Sequence, residues 1–258
     1  MTALSLPRRL LAEFLGTAML VAAVVGSGVM AATLSPHDVG LQLLENSTVT
    51  AFALAALILI FGPVSGAHFN PVVSLADWWL GRRGRTGLRV ADLAGYLAAQ
   101  VAGAIGGSIL ANLMFALPAV DFSTKQRFAG HLWLGEVVAT TGLVLLIFAL
   151  ARSGRAPVAP AAVGVYIGAA YWFTSSTSFA NPAVTIGRAF TDTFAGIAPG
   201  SVPAFVAAQF AGLLVGIGLL AVLYPHAEQA AGEVVVPSGA ADSRSATGRG
   251  RRASRAVR

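Results

Sequence analysis

Two asparagine–proline pairs, Asn70-Pro71 and Asn181-Pro182, are the residues of this 258-residue chain best placed to act on a passing solute. Asparagine is a favoured helix N-cap, and proline a favoured first helical residue because its missing N–H has no helical partner there anyway. Each pair therefore starts a helix. The segments that follow, Asn70 to Leu80 and Asn181 to about Phe190, are modestly apolar and too short to span. About ten residues at a rise of about 1.5 Å reach only halfway through a hydrocarbon core of about 30 Å. An asparagine that caps with its side-chain oxygen keeps its amide NH₂ for donation to a water or hydroxyl. Two helix N-termini facing one pathway, each carrying about half an elementary positive charge, disfavour cations there and spare neutral solutes.

Other residues invite sharper chemistry. Glu13 and Glu136 fall inside apolar runs, where an ionisable group costs at least about 2.5 kcal/mol on insertion scales. They could relay protons. Occurring once per half of the chain, they fit better as hydrogen-bond acceptors for the adjacent loops. His68, two residues before Asn70, could titrate beside a pore, but a structural hydrogen bond is the simpler reading. With no cysteine, no Gly-x-Ser-x-Gly signature and only His68 expected deep among the four histidines, nucleophilic catalysis has no constellation to stand on. No enzyme activity, metal or cofactor is expected.

The elements that must position these residues are membrane helices. The chain is 56% hydrophobic and 11% charged, where a soluble globular domain carries about 25% charged residues. Apolar runs recur at Leu10–Ala32, Val49–Phe61, Val90–Leu117, Leu132–Ala151, Val158–Phe173 and Val202–Tyr224, predicting six spans. The first is too long for a signal-peptide core of about 7–15 residues. Arg8 and Arg9, Arg82 to Arg89, Arg152 and Arg155, and the arginine-rich end all fall on one side of a six-span topology, which makes that side cytoplasmic and places both termini there. The basic Ser/Ala/Gly-rich stretch 225–258 is predicted to be a disordered cytoplasmic tail near anionic lipid headgroups, not a nucleic-acid arm. The channel domain is then 1–224.

The two halves, about 8–117 and about 131–224, repeat one another. Tyr96 to Gly103 recurs as Phe205 to Gly212, Ala67 to Ser74 as Ser178 to Thr185, and, more weakly, Ala12 to Thr17 as Gly135 to Thr140. The first half holds extra residues between its first two spans, read as a longer loop from Ser35 to Asn46. Halves with an odd number of spans must insert in opposite senses, so this is an inverted repeat. It brings the two Asn-Pro N-termini together near the midplane. The loops Gly62–Phe69 and Thr174–Ala180 would then be non-helical at membrane depth, tolerable only where buried in protein or lining a watery cavity. The fold class is an all-α membrane protein with six spanning helices and two re-entrant half-helices.

Glu13-Phe14-Leu15-Gly16-Thr17, Ser65 to Val72 around Asn70, Ala99 to Gly103, Phe179 to Ala183 around Asn181, and Ala208 to Gly212 together resemble the aquaporin, or major intrinsic protein, family over about residues 8–224. The resemblance implies an hourglass with a pore through each subunit, a homotetramer in the plasma membrane, and passive flow of water and small neutral solutes. Two departures stand out. Asn70-Pro71 is followed by Val72 where the family most often has alanine, and Pro182-Ala183 by Val184 where it usually has arginine.

Carrying the family's narrowest point onto this chain gives Thr50, Ala169, Ser178 and Val184, with Phe52 or Tyr171 entering if the register shifts by one or two residues. A ring of small residues implies a wide mouth that admits glycerol, urea or an uncharged metalloid hydroxide such as arsenous acid, as in a bacterial branch associated with arsenic resistance. A water-selective channel is the alternative, and an ion-coupled transporter a lesser one. Arg188, one turn beyond Val184, is a candidate vestibule cation that Asp192 could instead pair with.

Overall fold

The computed structural model describes residues 4–82 and 86–224. The predicted tail 225–258, together with Arg83 and Arg85, lies outside the described residues. Six helices are long and apolar enough to cross a membrane: α1 (Leu6–Leu34), α2 (Val39–Ser65), α4 (Val90–Met114), α5 (Gly130–Arg152), α6 (Ala159–Phe173, with a leading 3-10 turn) and α8 (Val202–Leu223). Between them lie the half-helices α3 (Pro71–Gly81) and α7 (Pro182–Gly187), the latter continued by a 3-10 turn, Arg188–Phe190. No strand occurs among the described residues.

α2 begins at Val39, about ten residues before its apolar run, so the extra residues of the first half are mostly helix and not the expected loop. The cause is local: Asp38 caps the helix by accepting from the Leu41 N–H at 2.9 Å. The polar residues behind it also find partners. Gln42 donates to the Ser35 carbonyl and Asn46 to the Val24 carbonyl, each at 2.8 Å.

The inverted repeat is visible in the packing, with α1 against α4 and α5 against α8. These pairs approach closely because glycine lines them. A Cβ on Gly103 or Gly107 of α4 would collide with the Phe14 and Ala18 carbonyls of α1, and one on Gly212 of α8 would lie 2.6 Å from the Val137 carbonyl oxygen of α5. Without a hydrophobic force between helices in lipid, such close contact supplies the association energy. Gly212→Val should therefore cost about 2–3 kcal/mol by overpacking and lower the unfolding temperature of detergent-purified protein, followed by tryptophan fluorescence. Gly218→Ala, whose Cβ meets nothing within 4 Å, should leave that temperature unchanged or slightly raised.

Candidate functional site

The half-helices start as their sequences dictate. The Asn70 side-chain oxygen accepts from the Val72 N–H at 3.1 Å, and that of Asn181 from the Ala183 and Val184 N–H groups at 3.0 and 3.2 Å, with Pro71 and Pro182 in the first turns. The amide groups then cross. Asn70 Nδ2 donates to the Ala180 carbonyl and Asn181 Nδ2 to the Phe69 carbonyl, both at 2.8 Å. Each NH₂ spends one N–H strapping the opposite loop and keeps one for the passage beside it. This cross-bond has no signal in the sequence, because its partners are 110 and 112 residues apart.

The loops preceding the asparagines adopt matching left-handed backbones: Ala67 and Phe69 at φ 49°, Ser178 at 50° and Ala180 at 48°. For residues with a Cβ this costs roughly 1–2 kcal/mol each. Two carboxylates hold the conformation. Glu13 accepts from the His68 and Phe69 N–H groups at 3.0 and 2.8 Å, and Glu136 from Phe179 and Ala180 at 2.9 and 2.8 Å. Gln100 and Gln209 donate to the same carboxylates at 2.7 and 2.6 Å and to the Ser74 and Thr185 hydroxyls at 2.9 and 2.8 Å. His68 closes the first cluster with Nδ1 3.0 Å from Ser74 Oγ.

With their N–H groups drawn outward, the loops keep acceptors on the other side. The carbonyls of Ala67, His68, Ser178 and Phe179, and the Ser178 hydroxyl, have no hydrogen-bond partner among the described residues. All four residues line a narrow cavity of about 60 Å³ that also contacts Asn70 and Asn181. Its facing wall is apolar: Leu20 and Val24 of α1, Leu54 and Ile58 of α2, Leu143 and Ile147 of α5, and Val163 and Ile167 of α6. Each of these four helices contributes residues four apart, one helical face each.

That spacing extends the lining toward one end of the cavity. Thr50 continues the Leu54–Ile58 row and Tyr171 the Val163–Ile167 row, and their hydroxyls lie 3.2 Å apart. Ser178, Val184 and Arg188 complete this end. The expected Ala169 is out of register, exposed on the outer side of α6, and Tyr171 stands in the passage instead. Phe52 is 73% exposed on the outside of α2. The row of four-spaced apolar residues would have selected Tyr171 from the sequence.

Beyond Tyr171 and Arg188, which line both spaces, the passage opens into a vestibule of about 210 Å³ at the end of the bundle opposite the start of α1 and the end of α8. Lys125 and Arg127, from the α4–α5 connection, line it with Arg188. Arg188 is 2% exposed and stacks 3.5 Å from the centre of the Phe179 ring. It forms no ion pair with Asp192, whose carboxylate accepts instead from Thr124 and Ser123. Burial, then the neighbouring Arg127 and Arg188 charges, pull the Lys125 ammonium below its ordinary range. Sequence reading counted Lys125 and Arg127 only as loop charges.

Six spanning helices with two half-helices meeting head to head around a lined passage define a membrane channel. Residues 1–180 match the family model described as Major intrinsic protein. The chain belongs to that family, whose members are channels and not enzymes. It is 53% identical, over 83% of its length and 89% of the relative's, to aquaglyceroporin AqpS of Rhizobium meliloti (strain 1021). It is 32% identical to the glycerol uptake facilitator protein of Pseudomonas aeruginosa over 61% of its own length and 63% of the relative's. The X-ray structure of the aquaglyceroporin from Plasmodium falciparum shares the fold, with a TM-score of 0.62 at 20% identity over 87% of this chain and 100% of that one.

Glu136→Gln would present an NH₂ to an N–H donor of the Phe179–Ala180 loop and leave one buried donor unpaired. The expected cost is about 1–3 kcal/mol. It should appear as a lower unfolding temperature together with loss of both water and solute flux, since the loop that carries Ser178 and leads into Asn181 is disturbed.

Proposed function

We propose that this chain is a passive channel for glycerol-like small neutral solutes and water. The observation that carries it is the two-sided passage: loop carbonyls and asparagine N–H groups along one side, apolar side chains along the other. A polyol can lay its hydroxyls on the first and its carbon backbone on the second. Ions gain little there, since the cavity's facing wall is apolar and charge is costly to desolvate. Asn70 and Asn181 act as central donors. Thr50, Tyr171, Ser178 and Val184 set the aperture, with Arg188 as the cation at its outer rim. Glu13, Glu136, His68, Pro71 and Pro182 hold the scaffold.

Val184 favours the solute-passing reading over a water-selective one, because a small uncharged side chain takes up less of the passage than an arginine at that position would, with the Arg188 guanidinium set one turn further on. Tyr171 works the other way, since its ring is a larger side chain than the alanine two positions before it. The names of the aquaglyceroporin and glycerol facilitator relatives support the same class. The arginines of the termini and of the connections around Arg82 and Arg152 support cytoplasmic ends in a plasma membrane. Exposed apolar residues such as Leu11, Leu59, Val165 and Val222 offer surface to lipid and to further copies, consistent with a homotetramer. The segment 225–258 is proposed as a basic cytoplasmic tail.

The test is stopped-flow light scattering on proteoliposomes against empty liposomes. Wild type should pass glycerol well above background. Val184→Arg should cut glycerol permeability about tenfold, comparable to about 1.4 kcal/mol of added barrier, while reducing water flow far less. Equal loss of both would reject Val184 as part of the aperture, and absence of glycerol entry with fast water flow would favour the water-selective alternative.

A further inference from the structure

The cationic vestibule is not needed by a neutral-solute channel. Three successive main-chain carbonyls each hold one of its cations: Phe194 accepts from Lys125 Nζ at 2.8 Å, Ala195 from Arg188 Nε, and Gly196 from Arg127 Nε at 3.0 Å. Arg127 Nη1 also reaches the Ser176 carbonyl at 3.4 Å. The segment is tied back by Ile197 N–H to the Arg188 carbonyl at 3.3 Å and Ala198 N–H to the Lys125 carbonyl at 2.8 Å. The cations are thus fixed by neutral groups. None has a carboxylate partner: the ion pairs among the described residues are Arg9–Asp92 and Arg89–Asp92, at the other end of the bundle.

Donors remain. Neither terminal nitrogen of Arg188 has a hydrogen bond to a described residue, although the side chain is buried and borders the vestibule. Arg127 keeps its Nη2 and Lys125 two of its N–H groups. No carboxylate is among the described lining residues, and Val39, Leu43 and Phe194 supply an apolar surface in the same space. Three fixed cations face a concave space, the carboxylates of Asp192 and Glu136 act on them only from a distance, and charge-assisted donors in a fork suit a carboxylate.

We propose that this vestibule binds small organic monocarboxylates, the carboxylate on Lys125, Arg127 and Arg188 and the short alkyl chain on Val39, Leu43 and Phe194, and that the occupant obstructs entry of neutral solutes. It stands before the Tyr171–Arg188 junction, where the vestibule meets the passage. It goes no further, because the cavity beyond Arg188 has no cationic lining residue and the carboxylate would have to leave its partners for an apolar wall.

The flux readout rests on the channel reading; the binding readout does not. Glycerol permeability of wild-type proteoliposomes is measured with butyrate equilibrated on both sides, against chloride at the same ionic strength and pH. The expected result is a saturable fall in permeability, with the half-inhibiting concentration raised about tenfold in Lys125→Gln/Arg127→Gln, each protein normalised to its own chloride value. Val39→Glu adds a carboxylate to the vestibule at a helix first turn that tolerates one, and should raise that concentration too. Equal permeability in butyrate and chloride, or inhibition unchanged in both variants, overturns the proposal. Saturation-transfer NMR from the detergent-solubilised chain to butyrate reads binding directly, even if glycerol flux proves absent. Transfer that weakens in both variants supports the site, and no transfer in wild type overturns it.

Discussion

Non-helical backbone in the middle of an apolar bundle must have every buried N–H answered, and the rest of this structure is arranged around that requirement. A free donor there costs about 1–3 kcal/mol, and in lipid no water stands ready to relieve it. Glu13 and Glu136 each answer two consecutive loop N–H groups, and Asn70 and Asn181 answer a carbonyl of the opposite loop. Gln100 and Gln209 fix the carboxylates in turn. The left-handed residues at Ala67, Phe69, Ser178 and Ala180 persist because this network over-determines them.

The network also makes the passage. N–H groups drawn toward the buried carboxylates leave unpaired carbonyls on residues that line the cavity, so one strip of wall is polar while the helices opposite supply Leu, Ile and Val. A structural solution to burial and a surface for hydroxyl-bearing solutes are the same arrangement. The inverted repeat gives it twice, with Ser74 and Thr185 as matching hydroxyls and His68 and Phe179 as the point where the halves differ.

At the vestibule end of the bundle the two-fold match breaks down. The second half places Arg188 there and the α4–α5 connection adds Lys125 and Arg127, all held by the carbonyls of one short segment. The uncharged Val184 and the hydroxyl pair of Thr50 and Tyr171 then separate a strongly positive vestibule from a passage with no charge beyond Arg188. Arg188, one turn beyond Val184, brings the cation to that end of the passage.

Much of this was legible without coordinates, because it follows from rules local in the chain. Apolar length marks the six spans, Asn-Pro marks the half-helix starts at Asn70 and Asn181, and recurring motifs mark the inverted halves. The start of α2 is not legible in the sequence, because its first turns are polar and find their partners in the Ser35 and Val24 carbonyls outside the helix. Counting along the chain points to Ala169, whereas helical periodicity from Val163 and Ile167 points to Tyr171. The crossed asparagine bonds and the convergence of Lys125, Arg127 and Arg188 had no local trace. Their partners are brought together only by folding, across 110 residues or more for the asparagines and 69 for Lys125 and Arg127, and a charge counted along a loop says nothing of the carbonyl that will hold it.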